Sequence, residues 1–239
     1  MAVTNNTDML EEELEYEYST RLEELNMFEG IVTSSILDAS EQGIYRKMLM
    51  VMLYAYFEGF CKKALSIYVE YLNTTGEQVK DVQDSLVAST LRDSFKLLED
   101  GHHSPVRIRG MKADGDNKIQ RFGRRNEFVH DYSNQMQSVI NIPDTVVDTE
   151  SNLKSYVLKI IMYRLAMDYT IVDSMQRDIN MLLCRRNSIA HGDLVRGIEE
   201  SEYCDYKKAA IEVMEKLKSE IINNYKYKKY LKVNGEYSD

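Results

Sequence analysis

The sequence predicts an all-α fold, and three observations carry that prediction. Apolar residues recur at three- and four-residue intervals through several long segments, the spacing that gives a helix an apolar face. The 239 residues include only 11 Gly and 2 Pro, with abundant Leu, Glu, Lys, Met and Tyr, so helix interiors are rarely interrupted. Turn and stop signals stand where the periodicity ends, as at Gly76 and Gly192. With 44% hydrophobic residues the chain can bury a substantial core, and one domain over residues 1–239 is expected.

Residues 8–37 read as a long first helix, with Leu10, Leu14, Tyr18, Leu22, Leu25 and Phe28 on one side. Its other face is rich in glutamate, including Glu11, Glu12, Glu13, Glu15 and Glu17. That face reads as solvated surface, as a docking arm for a partner, or as a shield over a basic cleft. Residues 42–72 form the most apolar segment, with Met48, Leu49, Met52, Phe57, Phe60, Ala64 and Tyr68 implying burial on more than one side. Glu58 lies within it, and a carboxylate in apolar surroundings calls for a cationic or hydrogen-bonding partner. Two readings stand for Glu58: it orients Arg186 beside a reaction site, or it makes a packing-level salt bridge.

After a turn at residues 73–76, a shorter helix is predicted over 85–98 through Leu86, Leu91, Phe95 and Leu98. Residues 100–147 are expected to be an insertion or irregular segment, opening with a loop over 100–116. His102 and His103 in that loop have no Cys or acidic ligands at metal-site spacing and read as exposed. Residues 118–130 are the most basic stretch. Lys118, Arg121, Arg124 and Arg125 form either a phosphate-contacting patch or ordinary basic surface.

Helices are next predicted over 149–165, opened by cap-like Thr149, Ser151 and Asn152, and over 168–191. A last long helix is predicted over 201–231. Its tail, NNYKYKKYLK, interleaves Tyr with Lys; it reads as a frayed end or as a stacking surface for single-stranded RNA.

Composition limits the function. The formal net charge of −9 disfavours non-specific nucleic-acid binding, although it leaves open a cleft that concentrates its cations. The three cysteines, Cys61, Cys184 and Cys204, are widely spaced, which fits reduced thiols and a cytoplasmic location. No apolar run approaches the roughly 20 residues needed to span a bilayer, and the acidic start MAVTNNTDMLEEELEYEY is unlike a secretory signal. A P-loop, a dinucleotide-binding glycine pattern, a zinc ligand set and a Gly-x-Ser-x-Gly elbow are all missing, and no cofactor or metal is expected.

The chemistry-bearing stretch is Cys184 to Asp193, CRRNSIAHGD. On a helix, Asn187 and His191 lie one turn apart on one face. Arg186 stands about 140° round from His191, within reach of a long side-chain stem. Gly192 would end the helix and leave His191 at the negative end of its dipole, where positive charge is favoured.

Arg186-Asn187-Ser188-Ile189-Ala190-His191 resembles the Arg-Asn-x-x-x-His ribonuclease motif of the HEPN superfamily. RRNSIAHGD is similar to the RNxIAHG form of the RiboL-PSP and related bacterial defence-associated groups. LYAYFEGFCKKAL (Leu53 to Leu65) resembles that branch's early helix, and DTESNLKSYVLKII (Asp148 to Ile161) resembles the segment before its motif helix. The three matches fall in order and together span about residues 45–195, least closely over 100–145. A second Arg-x4-His, Arg125 to His130, lacks the IAHG ending and precedes the DTESNL segment, so it does not carry the resemblance.

The resemblance implies an up-and-down helical bundle with an inserted loop segment, a homodimer sharing one site, and an RNA substrate. It also implies a toxin or anti-phage defence role, with an antitoxin or defence-system partner protein. Within that expectation, His191 moves protons, Arg186 holds phosphate, and Asn187 orients the phosphate, the base edge or the imidazole. Glu58, Arg185, Ser188 and Asp193 are supporting candidates.

RNA carries its own nucleophile, the 2′-OH, so cleavage needs proton transfer and charge stabilisation. Imidazole titrates near neutrality and guanidinium is a permanently charged fork. The expected reaction is metal-independent, giving 2′,3′-cyclic phosphate and 5′-hydroxyl ends. Two other readings remain: a non-catalytic module that binds nucleotide or a partner protein, including an antitoxin-like neutraliser, and a helical dimerisation scaffold. From spacing alone, Arg186, Asn187 and His191 also fit a buried polar cluster.

Overall fold

The most apolar helix is the one against which the first, the last and the motif-bearing helices pack. A computed structural model describes residues 6–34, 38–106, 118–150 and 152–232 of the chain, side chains of 32–34 excepted. Helix α1 (Asn6–Ser34) is followed by α2 (Ala39–Asn73). Two short helices, α3 (Asp84–Thr90) and α4 (Arg92–Glu99), precede α5 (Lys118–Gln137). Then come α6 (Ser155–Arg164), α7 (Gln176–Ala190) and α8 (Glu200–Lys226). The described residues contain no β-strand, only two isolated bridges. Among them no helix is long and apolar enough to cross a membrane.

Helix α2 begins with a reciprocal cap. The Asp38 carboxylate accepts from Glu41 N–H at 2.9 Å, and Glu41 accepts from Asp38 N–H at 3.0 Å. It packs against α1, α7 and α8 together, which is why its apolar residues do not keep to one stripe. Tyr54, Phe57, Phe60, Leu65 and Tyr68 are all fully buried along it. Burying a side chain of this size contributes about 1.5–3 kcal/mol. One polar network crosses the core: the Tyr68 hydroxyl donates to Asn224 Oδ1, and Asn224 donates to the Ala166 carbonyl, each at 2.8 Å. It ties α2 and α8 to the turn after α6, where Ala166 has a φ of 55°.

The glutamates of α1 are not simply solvated. Glu29 accepts from the Tyr203 hydroxyl and pairs with Lys207, and Glu15 pairs with Lys218. Glu13 faces Lys63 and Glu24 accepts from the Tyr56 hydroxyl. These contacts lace α1 to α2 and α8, while Glu11 and Glu12 remain exposed.

The structure corrects several expectations. The predicted helix over 85–98 is two helices, because the chain turns at Leu91 and buries that side chain. Helix α4 then lies on α5, where Phe95 stacks on Phe128 with centroids 5.5 Å apart. Residues 100–147 are not irregular throughout, since α5 alone provides 20 helical residues. The return from α5 is tied to the main body: Ile140, Ile142, Val146 and Val147 enter the core, and Asn73 exchanges two hydrogen bonds with the backbone of Ile142. Residues 107–117 of the expected loop lie outside the described residues.

Helix α6 starts at Ser155 without a side-chain cap, so Thr149 and Asn152 do not cap it, and Ser151 lies outside the described residues. The segment Tyr169–Met175 winds as a tighter 3₁₀ helix before α7 begins. The lysine-tyrosine tail is not frayed, although Lys226, Tyr227, Lys228 and Lys229 stay exposed. It turns at Lys228 (φ 51°), buries Tyr225 and Tyr230, and pairs Lys228 with Glu77 and Lys232 with Asp84.

Candidate functional site

Helix α7 ends as its sequence demands. His191 takes the C-cap position, and Gly192 follows with a φ of 77°, a left-handed conformation in which a side chain is strained. The Gly192 N–H donates to the Ile189 carbonyl at 3.1 Å, and the Asp193 N–H to the Ser188 carbonyl at 2.9 Å. This pair is a Schellman ending, which satisfies carbonyls that the helix leaves open. The result places the His191 ring in solvent at the helix terminus.

Arg186 faces α2. Its guanidinium lies 4.3 Å from the centroid of the Tyr54 ring. Nη1 donates to Asn187 Oδ1 at 2.8 Å, and Nη2 stands 3.8 Å from Glu58 Oε2. Tyr54 and Glu58 are four residues apart, one turn of α2, so together they form a cradle on one helix face. Side-chain exposure is 24% for Arg186 and 20% for Glu58, so the pair is shielded but reachable by solvent. The Tyr54 hydroxyl is buried beside the Leu153 backbone and the Arg186 guanidinium. Its burial, reinforced by the Glu58 charge, pushes the phenol up to about 12.

The loop after His191 is clamped by the start of α2. Lys47 Nζ donates to the carbonyls of Leu194 and Val195 at 2.6 and 2.8 Å. Arg46 donates to the Ile198 carbonyl, and the Ile198 N–H to that of Gly43. Gly43 and Gly197 make this clamp possible: a Cβ on Gly197 would come within 2.9 Å of the Gly43 Cα.

A family profile described as RiboL-PSP-HEPN matches residues 16–223, most of the chain. The chain belongs to the RiboL-PSP-HEPN family. No curated protein and no solved structure matches it.

Within this RiboL-PSP-HEPN chain the predicted site residues separate into groups. Arg186, Asn187 and Glu58 come together, and His191 and Asp193 stand exposed at the end of the same helix. Ser188 serves the turn through its carbonyl, which accepts from both Asp193 and Leu194. Arg185 points the other way, pairing with Glu202 of α8, which also meets Arg196. It belongs to the packing of α7 on α8 rather than to the Arg186 cradle.

On α5, Lys118, Arg121 and Arg125 are exposed, but Arg124 is buried and donates to the carbonyls of Leu98 and His103. Arg124 is therefore removed from the phosphate-contacting patch, because its donors hold the α4–α5 connection. His103, expected to be exposed, is partly shielded and contacts Glu127 at 2.7 Å. Among the described residues no group of three or more His, Cys, Asp or Glu is placed to hold a metal ion.

Sequence reasoning missed Tyr54, Arg46, Lys47 and the Gly43–Gly197 contact. Tyr54 was within reach, since it stands one helical turn before Glu58 in the same apolar segment. The loop clamp had no local signal, because its partners are about 150 residues apart in the chain.

Proposed function

We propose that this protein is a metal-independent endoribonuclease. Its site is built on the end of α7, with Arg186 holding the scissile phosphate and His191 moving protons. The observation that carries the reading is the contrast between the two side chains. His191 projects into solvent at a rigidly capped helix end, while Arg186 is set against Tyr54 and Glu58 without being sealed from solvent. Membership of a HEPN family and the RNxIAHG form of the motif support it.

In this chemistry a base takes the 2′-OH proton, and the freed oxygen attacks the adjacent phosphorus. The 5′ oxygen leaves with a proton from an acid, giving a 2′,3′-cyclic phosphate and a 5′-hydroxyl. Arg186 offers a planar fork to the charge that builds on the phosphoryl oxygens. Asn187 fixes that fork through its carbonyl oxygen. Glu58 and the Tyr54 ring keep the guanidinium against α2.

A single imidazole cannot serve as base and acid at once. We infer a two-fold dimer that sets two α7 termini across one groove, each giving an Arg186 and a His191. Lys118, Arg121 and Arg125 supply further contacts to the RNA backbone. In the cell the activity would be that of a toxin or an anti-phage effector acting on cellular RNA, restrained by an antitoxin or defence-system partner.

The test incubates purified protein with tRNA and total RNA in EDTA and analyses the product ends. Cyclic phosphate with 5′-hydroxyl is expected. Mixing inactive Arg186→Ala and His191→Ala chains should restore partial activity if the groove is shared, and no recovery would count against the dimeric site. Absence of cleavage by the folded wild type would remove the enzymatic reading.

A second reading keeps the fold but not the chemistry: a non-catalytic module that binds nucleotide or a partner protein. The engagement of Arg186 by both Glu58 and Asn187 favours it, as does the net charge of −9.

A further inference from the structure

A pocket of about 340 Å³ opens where α3 meets α6, and none of its lining residues belongs to the α7 motif. Ala88, Val146 and Tyr163 give it an apolar wall, and Arg92, Arg164 and Asp84 give it charge. The size is that of small-molecule sites, which run from about 300 to 1,000 Å³. The walls are fixed relative to each other, because the Ser89 hydroxyl of α3 donates to the Arg164 carbonyl at 2.8 Å. Arg92 holds a third segment in place by donating to the Thr145 carbonyl.

The charges around the pocket do not cancel. Asp84 is neutralised by Lys232 at 2.9 Å. Neither Arg92 nor Arg164 has a carboxylate within ion-pair distance among the described residues. Lys207, Lys218, Arg185 and Arg196, elsewhere on this acidic chain, each have one. Two uncompensated guanidiniums beside an exposed tyrosine ring and an apolar wall describe a receptor for an anionic head on a flat organic body.

We propose that this pocket binds a small phosphate monoester with a flat organic group. The dianionic head is held by the forks of Arg92 and Arg164, and the body lies against Tyr163, Ala88 and Val146. A phosphate monoester carries close to two negative charges at neutral pH, and arginine meets it with paired, charge-assisted hydrogen bonds. The proposal stands apart from the cleavage chemistry: binding here requires neither Arg186 nor His191.

The test is calorimetric titration of the full chain with phenyl phosphate, adenosine 5′-monophosphate and phenol. Saturable binding of at least one phosphate monoester is expected, together with no binding of phenol. Arg164 has no side-chain partner to lose, so Arg164→Gln should fold normally, confirmed by its melting temperature. It should weaken binding by about tenfold, the usual loss for one charge-assisted contact. Arg92→Lys keeps a donor for the Thr145 carbonyl while losing the fork, and should weaken binding similarly. Failure of the folded wild type to bind either monoester overturns the proposal. So does affinity unchanged in both variants, and so does phenol binding as tightly as phenyl phosphate.

Discussion

Arg186 is stacked on Tyr54 and faces Glu58 from the same side, its guanidinium 4.3 Å from the ring centroid and 3.8 Å from the carboxylate. The contact links the end of α7 to the middle of α2. A guanidinium over a tyrosine is worth about 0.5–2 kcal/mol, and a partly exposed ion pair at most about 1 kcal/mol. These contacts fix direction more than they stabilise the fold. Glu58→Gln should therefore shift the melting temperature by less than about 4 °C, while RNA cleavage falls by about tenfold as Arg186 loses its alignment. A large loss of stability with unchanged cleavage per folded molecule would mark Glu58 as a packing residue only.

Tyr54 makes a second prediction, in alkaline solution. Its phenol is pushed up to about 12 by burial and by Glu58, against about 10 in an unfolded chain. The folded state therefore holds the proton more tightly. The stability this contributes is complete below about pH 10 and is lost as pH rises towards 12. Tyr54→Phe should flatten the fall of melting temperature between about pH 10 and 12, because the titrating group is gone. Near pH 7 it should cost about 0.5–1.5 kcal/mol, the scale of one hydrogen bond, because the hydroxyl lies beside the Leu153 backbone and Arg186. An unchanged alkaline slope would contradict this account of the phenol.

The glycine pair that carries the loop past His191 can be tested by adding one carbon. Gly197→Ala would place a Cβ 2.9 Å from backbone of α2, and neither backbone can yield as a side chain would. A loss of about 1–3 kcal/mol in unfolding free energy is expected. Cleavage should fall too, as the Lys47 and Arg46 clamp on residues 194–198 is pushed away. Gly30→Ala, where a Cβ meets nothing within 4 Å, is the control and should be neutral or stabilising.

Adjacent arginines on α5 should behave oppositely. Arg124 is buried and serves two carbonyls, so Arg124→Ala should cost about 1–3 kcal/mol by leaving them unsatisfied. Arg125 is exposed, and Arg125→Ala should stay within about 0.5 kcal/mol in urea unfolding. If Arg125 touches RNA, its loss should instead lower the salt dependence of RNA binding.

Much of the architecture was legible because it is written in local periodicity. Leu10, Leu14, Tyr18 and Leu25 mark the buried side of α1, and the spread of apolar residues in α2 reflects its central place. The Gly192 stop was equally legible, since a left-handed residue after a helix narrows the choice to glycine. The tail was not. Lys226, Lys228 and Lys229 make it look solvated, yet Tyr230 enters the core because the chain reverses at Lys228 and pairs with residues 81–83. The break at Leu91 was also hidden, because an apolar residue continuing the helical period looks the same whether or not the axis turns. At the site, Arg186 and Asn187 could be named from the motif. The side on which Arg186 lies depended on Tyr54 and Glu58, more than 120 residues earlier in the chain.

The central claim is that Arg186 and His191 together cleave RNA, and single-turnover cleavage in EDTA tests it most directly. Wild type, Arg186→Ala and His191→Ala should be compared on one substrate after each is shown to be folded. The wild type should cleave, and each substitution should lower the rate by at least about a hundredfold, the scale of a lost acid–base group. Equal rates in all three proteins would contradict the claim.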